Sequence, residues 1–211
     1  MSVRPSKIVC VGRNYAAHAR ELGNEVPESP VLFIKPPSSI SPLNAGIRWN
    51  QALGECHHEC ELCIRIGSPL KNATPEQAVA AVNGVTLGLD LTLRDLQNTL
   101  KNKGQPWERA KAFDGACVLG EWLAPDMLAD FSSTTFRLTV NGELRQSGDT
   151  AAMLFDVLQL LVDISQSFSL EVGDVVMTGT PAGVGPLCSG DQLVMTLDTV
   201  LGAVSWNTQV L

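Results

Sequence analysis

Basic residues are scarce in this chain of 211 residues: 15 Lys and Arg stand against 22 Asp and Glu, a formal net charge of −7. A nucleic-acid partner needs a basic surface to displace counterions, so that class is disfavoured. An anionic small substrate stays open, because a bound metal ion reverses the sign of the local field. Long apolar runs are missing as well. The most apolar strand-like stretch, 85–93, is broken by Asp90, and no window approaches the roughly 20 apolar residues of a membrane helix. The opening MSVRPSKIVCVG has neither an apolar core nor a small-residue cleavage site, so no secretory leader is expected. The six cysteines, Cys10, Cys56, Cys60, Cys63, Cys117 and Cys188, then read as reduced thiols of a cytoplasmic protein. No repeat, low-complexity tract or long linker divides the chain, so 1–211 is expected to be one domain. A composition of 45% hydrophobic and 18% charged residues suffices for a packed core.

What the chain does have is strand pattern. Residues 7–11 read as a short buried strand closed by Gly12, and 14–22 as a helix ended by Gly23. Five prolines make 24–50 extended or looped around a strand at 31–34. Residues 58–66 alternate, with Cys60, Leu62, Ile64 and Ile66 on one face and Glu59, Glu61, Cys63 and Arg65 on the other. Thr74-Pro75-Glu76-Gln77 is a capping box opening a helix that runs to Gly84. Alternation returns at 85–91, and Thr92 is expected to cap a helix reaching Gly104. Asn141-Gly142 marks a hairpin after the strand at 136–140. A helix is expected over 151–163, and strands over 174–177, 192–197 and 202–210. Strands outnumber helices and do not alternate with them, which argues against a doubly wound parallel sheet and for an α+β, mainly β roll.

Three carboxylates stand out. Glu59 and Glu61, two apart on a strand, leave the same face about 7 Å apart, and such like charges repel unless a cation lies between them. Asp90 sits in a strand of Val, Leu and Gly, where a charge must be paired or metal-bound. Three oxygen donors suit Mg²⁺ or Mn²⁺. The alternative is a wet sheet face with Asp90 capping the next helix. A rival zinc reading of the run Cys56-His57-His58-Glu59-Cys60-Glu61-Leu62-Cys63 is weakened by geometry: on a strand Cys60 and Cys63 point to opposite faces. His18 and Glu21 share a helix face and can form a carboxylate-oriented base, although such pairs are usually surface pairs. Arg94 and Gln97 are one turn apart. Lys111 is a cation among small apolar residues, open to a snorkelling interpretation. The segment 179–185 lacks the Lys-Ser/Thr ending of a phosphate loop.

Six blocks in order resemble the fumarylacetoacetate hydrolase family, most closely its small acylpyruvase and oxaloacetate decarboxylase branch. They are Gly12-Arg13-Asn14-Tyr15-Ala16-Ala17-His18, Pro30-Val31-Leu32-Phe33-Ile34-Lys35-Pro36, His57-His58-Glu59-Cys60-Glu61-Leu62, Leu89-Asp90-Leu91-Thr92-Leu93-Arg94-Asp95-Leu96-Gln97, Lys111-Ala112-Phe113-Asp114, and the run from Thr178 to Pro186. The resemblance spans roughly 7–211 and implies a mixed β-sandwich roll of the fumarylacetoacetase C-terminal-domain type, a homodimer and a Mg²⁺ or Mn²⁺ ion. By its motifs the ion is held by Glu59, Glu61 and Asp90. His18 and Glu21 activate water, Lys111 faces the reacting carbonyl, and Arg13, Arg94, Gln97 and Thr180 line the substrate pocket. Cys60 and Cys63 replace the aliphatic residues more usual around the glutamates. The activity then expected first is Mg²⁺-dependent hydrolysis of short acylpyruvates, 2,4-dioxo acids such as acetylpyruvate or fumarylpyruvate, to pyruvate and a carboxylic acid. Oxaloacetate decarboxylation or tautomerisation, or 2-hydroxy-diene-dioate isomerisation, is the alternative. A non-catalytic ligand-binding module or a zinc-stabilised one is the reading from another class.

Overall fold

In the computed structural model, which describes residues 3–21, 23 and 25–211, alternation along the chain becomes a two-faced sheet. The elements are β1 (Ile8–Gly12), α1 (Ala16–Glu21), β2 (Val31–Lys35), β3 (Ile40–Pro42), β4 (Cys56–His58), β5 (Cys60–Ile66), α2 (Pro75–Ala81), β6 (Val82–Asp90), β7 (Thr92–Leu93), α3 (Arg94–Asn102), α4 (Glu108–Lys111), β8 (Cys117–Leu119), β9 (Thr135–Val140), β10 (Glu143–Asp149), α5 (Val157–Ser167), β11 (Val175–Met177), β12 (Gly185–Pro186), β13 (Gln192–Thr199) and β14 (Gly202–Gln209). A seven-stranded sheet has the order β2-β1-β11-β5-β6-β8-β3. It is mixed: β1 runs parallel to β11 and β3 to β8, and the other pairs are antiparallel.

Topology forces this sheet to curl. Its edge strands β2 and β3 are consecutive in the chain and joined only by residues 36–39. Laid flat, seven strands would hold their edges about 29 Å apart; the connector reaches at most about 18 Å. The curl has a direction. Phe33 from one edge and Ile40 from the other pack on the same cluster, Ile8, Cys10, Cys63, Cys117, Val175 and Met177, which therefore fills the inside of the roll. The outer face presents Val9, Leu62, Ile64, Leu87, Leu89 and Val118 to a second sheet, β10-β9-β13-β14, and to α2 and α5. Each fully buried Leu or Ile there contributes about 2 kcal/mol. No helix of the described residues is long and apolar enough to cross a membrane.

Several expected boundaries move. Thr74 and Gln77 form the capping box of α2, but the helix stops at Ala81, because Val82 already pairs with Ile66. Thr92 does not cap α3. It pairs with His57 in the small sheet β12-β4-β7, its hydroxyl donates to Asp90 O, and the helix begins at Arg94. The helix expected over 151–163 starts at Val157, where Asp156 and Gln159 make a reciprocal cap. The expected first helix is described only as Ala16–Glu21; its last residue, Leu22, lies outside the described residues.

Candidate active site

The inside of the roll ends in charge. Register does the first part of the work: Cys60 faces Leu89, Glu61 faces Gly88, and the Asp90 N–H donates to Glu59 O at 2.8 Å. Glu59 lies in the break between β4 and β5 rather than within one continuous strand. Oxygens of Glu59, Glu61 and Asp90 nevertheless lie within 4.8 Å of one another, and all three residues are buried.

Cations surround two of the three. Lys111 Nζ sits 2.7 Å from Glu59 Oε2 and 2.7 Å from Asp90 Oδ2. The guanidinium of Arg94 pairs with Glu59 and donates to Gln97 Oε1 at 2.8 Å. Burial alone would raise the Glu59 carboxyl, but the charges of Lys111 and Arg94 outweigh it and hold it well below the usual range. Lys111 is not a snorkelling surface lysine. It is buried, and despite that burial Asp90 and Glu59 keep its ammonium charged. Lys35, fully buried at the end of β2, reaches Asp90 Oδ1 at 2.8 Å and donates to the carbonyl of Lys111.

Glu61 is the exception. It accepts the Gly179 N–H at 2.7 Å, and among the described residues no ammonium or guanidinium pairs with it. Burial, then the charges of Asp90 and Glu59, push its carboxyl far above the ordinary value. A third buried carboxylate facing two others is the situation that a hard divalent cation relieves, and an all-oxygen donor set matches Mg²⁺ or Mn²⁺. The residues present therefore fit such an ion. They do not form the zinc cluster. Cys56 and Cys60 are in the main core and Cys63 is inside the roll, while His57 pairs with Glu55 and His58 with Gln146. Among the described residues no Cys or His joins a converging group of three.

Around the trio lies a narrow cleft of about 30 Å³. Of the ten residues singled out from the sequence, all but Glu21 line it: Arg13, His18, Glu59, Glu61, Asp90, Arg94, Gln97, Lys111 and Thr180. Glu21 stands behind His18, its Oε2 3.4 Å from Nδ1, and accepts the Gly183 N–H at 3.1 and 3.2 Å. Burial lowers the His18 pKa more than Glu59 and Glu21 raise it, so the net shift is downward from the ordinary imidazole value. Arg13 adopts φ 58°, an uncommon left-handed turn for a side-chain-bearing residue, between β1 and α1. Sequence reasoning passed over Lys101, Phe33 and Trp107 in the same cleft. Burial and the neighbouring cations Arg13 and Arg94 push Lys101 down to about 8. Its ammonium lies 5.1 Å from the Trp107 ring centre, and that of Lys111 lies 5.1 Å from Phe33.

Comparison with known proteins decides the lineage. The profile described as fumarylacetoacetate (FAA) hydrolase C-terminal matches residues 7–207. This chain belongs to the fumarylacetoacetate hydrolase family. Among curated relatives, oxaloacetate tautomerase YcgM of Escherichia coli (strain K12) is 50% identical over 194 residues, covering 92% of this chain and 89% of the relative. The mitochondrial oxaloacetate decarboxylase of Dictyostelium discoideum is 41% identical over 197 residues, covering 92% and 90%. A solved structure of fumarylpyruvate hydrolase from Pseudomonas aeruginosa, in complex with Mn²⁺ and pyruvate, superposes with a TM-score of 0.88 at 35% identity, covering 97% of this chain and 90% of that one. The expected roll is thus the family's fold, and the chain is a member of an enzyme family. The names of the relatives favour oxaloacetate chemistry over the acylpyruvate hydrolysis expected first.

Proposed function

We propose that this member of the fumarylacetoacetate hydrolase family is an oxaloacetate keto–enol tautomerase. The observation that carries the reading is the cleft's cation count. Arg13, Arg94, Lys101 and Lys111 line one narrow space beside the acidic trio. Oxaloacetate and fumarylpyruvate each bring two carboxylates, whereas acetylpyruvate brings one, so a cleft this rich in cations suits a diacid; the names of the relatives then favour oxaloacetate between the two. The Escherichia coli relative, an oxaloacetate tautomerase, and the Dictyostelium discoideum one, an oxaloacetate decarboxylase, share that substrate.

In this reading Glu59, Glu61 and Asp90 would hold Mg²⁺ or Mn²⁺, which would supply Lewis-acid charge to stabilise an enolate. Neutral His18 takes a proton from C3, with Glu21 accepting from Nδ1 and leaving Nε2 as the basic atom. The electron pair of the C3–H bond becomes the C2–C3 double bond as the C2=O π pair moves onto oxygen; the Lys111 ammonium donates a hydrogen bond to that oxygen, and a proton taken up from solvent there completes the enol. Arg13 and Arg94 fix the carboxylates. Tautomerisation needs no attacking water.

The deciding measurement follows enol loss in the near ultraviolet, and pyruvate release separately, with Mg²⁺ and oxaloacetate, acetylpyruvate or fumarylpyruvate. Enol–keto relaxation of oxaloacetate should run well above the buffer rate and outpace pyruvate release. His18→Ala should slow it about 100-fold. Pyruvate appearing from an acylpyruvate faster than oxaloacetate relaxes would return the hydrolase reading to first place.

A further inference from the structure

Gln146 is a buried glutamine on β10, in the sheet that does not carry the carboxylates. A side-chain amide has two donors and two acceptor lone pairs, and here all four are used. Its Oε1 accepts the Cys60 N–H at 2.9 Å and faces Nδ1 of His58 at 3.1 Å. Its Nε2 donates to Thr180 Oγ1 at 2.7 Å and to Pro181 O at 2.9 Å. The orientation is forced, because an N–H meets one end of the amide and a carbonyl oxygen meets the other. The same logic puts the His58 proton on Nδ1. Thr180 Oγ1 then donates its only proton to Cys60 O at 2.9 Å.

These partners are the backbone of the candidate site. Cys60 is the residue between Glu59 and Glu61, and Gly179, next to Thr180, gives its N–H to Glu61. The strand that carries Gln146 reaches the site a second way. A β-bulge at Arg145 interrupts its register with β9 and brings the Arg145 carbonyl so close to Gly183 that a Cβ there would sit 2.0 Å from it. The Gly183 N–H is the one that holds Glu21.

We infer that Gln146 is a positioning residue: a side chain from the second sheet, touching neither ion nor substrate, that sets the spacing of the Glu59–Glu61 pair against the Gly179–Pro181 turn and thereby the affinity for the divalent ion. This rests on the reading of the trio as an ion site. It also means that Thr180 offers a substrate no hydroxyl proton; the hydroxyl can only accept.

The test is Mn²⁺ titration by electron paramagnetic resonance together with thermal melting of wild type, Gln146→Met and Phe136→Leu. Gln146→Met should weaken Mn²⁺ binding about 10- to 100-fold and lower kcat. Phe136→Leu, a core change on β9, should lower Tm while leaving Mn²⁺ affinity unchanged. Wild-type affinity and kcat in Gln146→Met, or equal loss of affinity in Phe136→Leu, would overturn the inference alone. Wild-type protein that takes up no Mn²⁺ would overturn the ion reading and this inference with it. Should Gln146→Met fail to fold, Gln146→Asn keeps a neutral amide but is one methylene too short to span both ends, and carries the test with the same expected sign.

Discussion

A histidine buried against a carboxylate is pulled two ways, and at His18 burial wins over Glu59 and Glu21. A base works only when unprotonated, so activity climbs as pH rises through the folded pKa. Because that pKa is lowered from 6.5, the acid limb of kcat/KM for oxaloacetate should lie below pH 6.5. Glu21→Gln removes an influence that raises the pKa and should move the limb further down, with kcat reduced about 10-fold or more. A limb above 6.5 in wild type would contradict the base role. At the residue scale the sequence was legible where a residue type was anomalous for its pattern, as with Asp90, whose carboxylate in an apolar strand does converge with Glu59 and Glu61. It passed over Lys35, because a lysine ending a strand before Pro36 looks like a surface lysine. It passed over Asn14 for a similar reason. That buried amide donates to Phe155 O and Thr178 O and accepts from the Phe155 N–H, contacts 141 and 164 residues away that no local pattern encodes.

At the scale of elements, the turn after β11 is the part most exposed to a single substitution. Gly183 has φ 94°, and its missing Cβ leaves room for Arg145 O. Gly183→Ala must therefore shift the turn and pull its N–H from Glu21. Activity on oxaloacetate should fall by 10-fold or more, as a misplacement of about 1 Å can cost 100-fold. Gly202 is the control. It too has a positive φ, 108°, but nothing crowds the Cβ position. Gly202→Ala should cost about 1 kcal/mol of stability and leave kcat alone, as thermal melts beside steady-state rates would read out. Equal activity losses in both variants would mean that the turn is not coupled to His18. Elements were readable where side-chain alternation or a cap announced them, as in β5, β6 and α2. The start of α5 was equally announced by Asp156 and Gln159, a cap that the apolar spacing of 151–163 overshadowed. Strands β3 and β8 are three residues each, too short for a period to register. They exist because the curled sheet supplies partners from distant parts of the chain.

At the scale of the molecule, the roll must be pinned where its strands begin, and one carboxylate does this beside β1 and β11. Asp174 accepts the Ser6 N–H at 2.7 Å, the Ser6 hydroxyl at 2.8 Å, the Lys7 N–H at 3.1 Å and the Glu171 N–H at 2.9 Å, and pairs with Lys7 Nζ at 2.6 Å. β1 and β11 are parallel, so no hairpin joins them; the carboxylate replaces that link. Burial raises the Asp174 pKa, but the Glu171 amide, Lys7 and Ser6 together outweigh it, and the net shift is downward from 3.8. A depressed pKa contributes stability that is fully present above the unfolded value and is lost as pH falls through the folded one. Asp174→Asn keeps the shape and removes the charge. At pH 7 it should therefore cost about 3 kcal/mol, lowering Tm by about 10 °C for a chain of this size. The gap from wild type should stay constant down to about pH 4 and narrow below it, as the wild-type carboxyl itself takes up a proton. Denaturation midpoints from pH 7 to pH 2.5 would trace that narrowing. A gap at pH 2.5 as wide as at pH 7 would mean that Asp174 acts through its shape and hydrogen bonds rather than its charge.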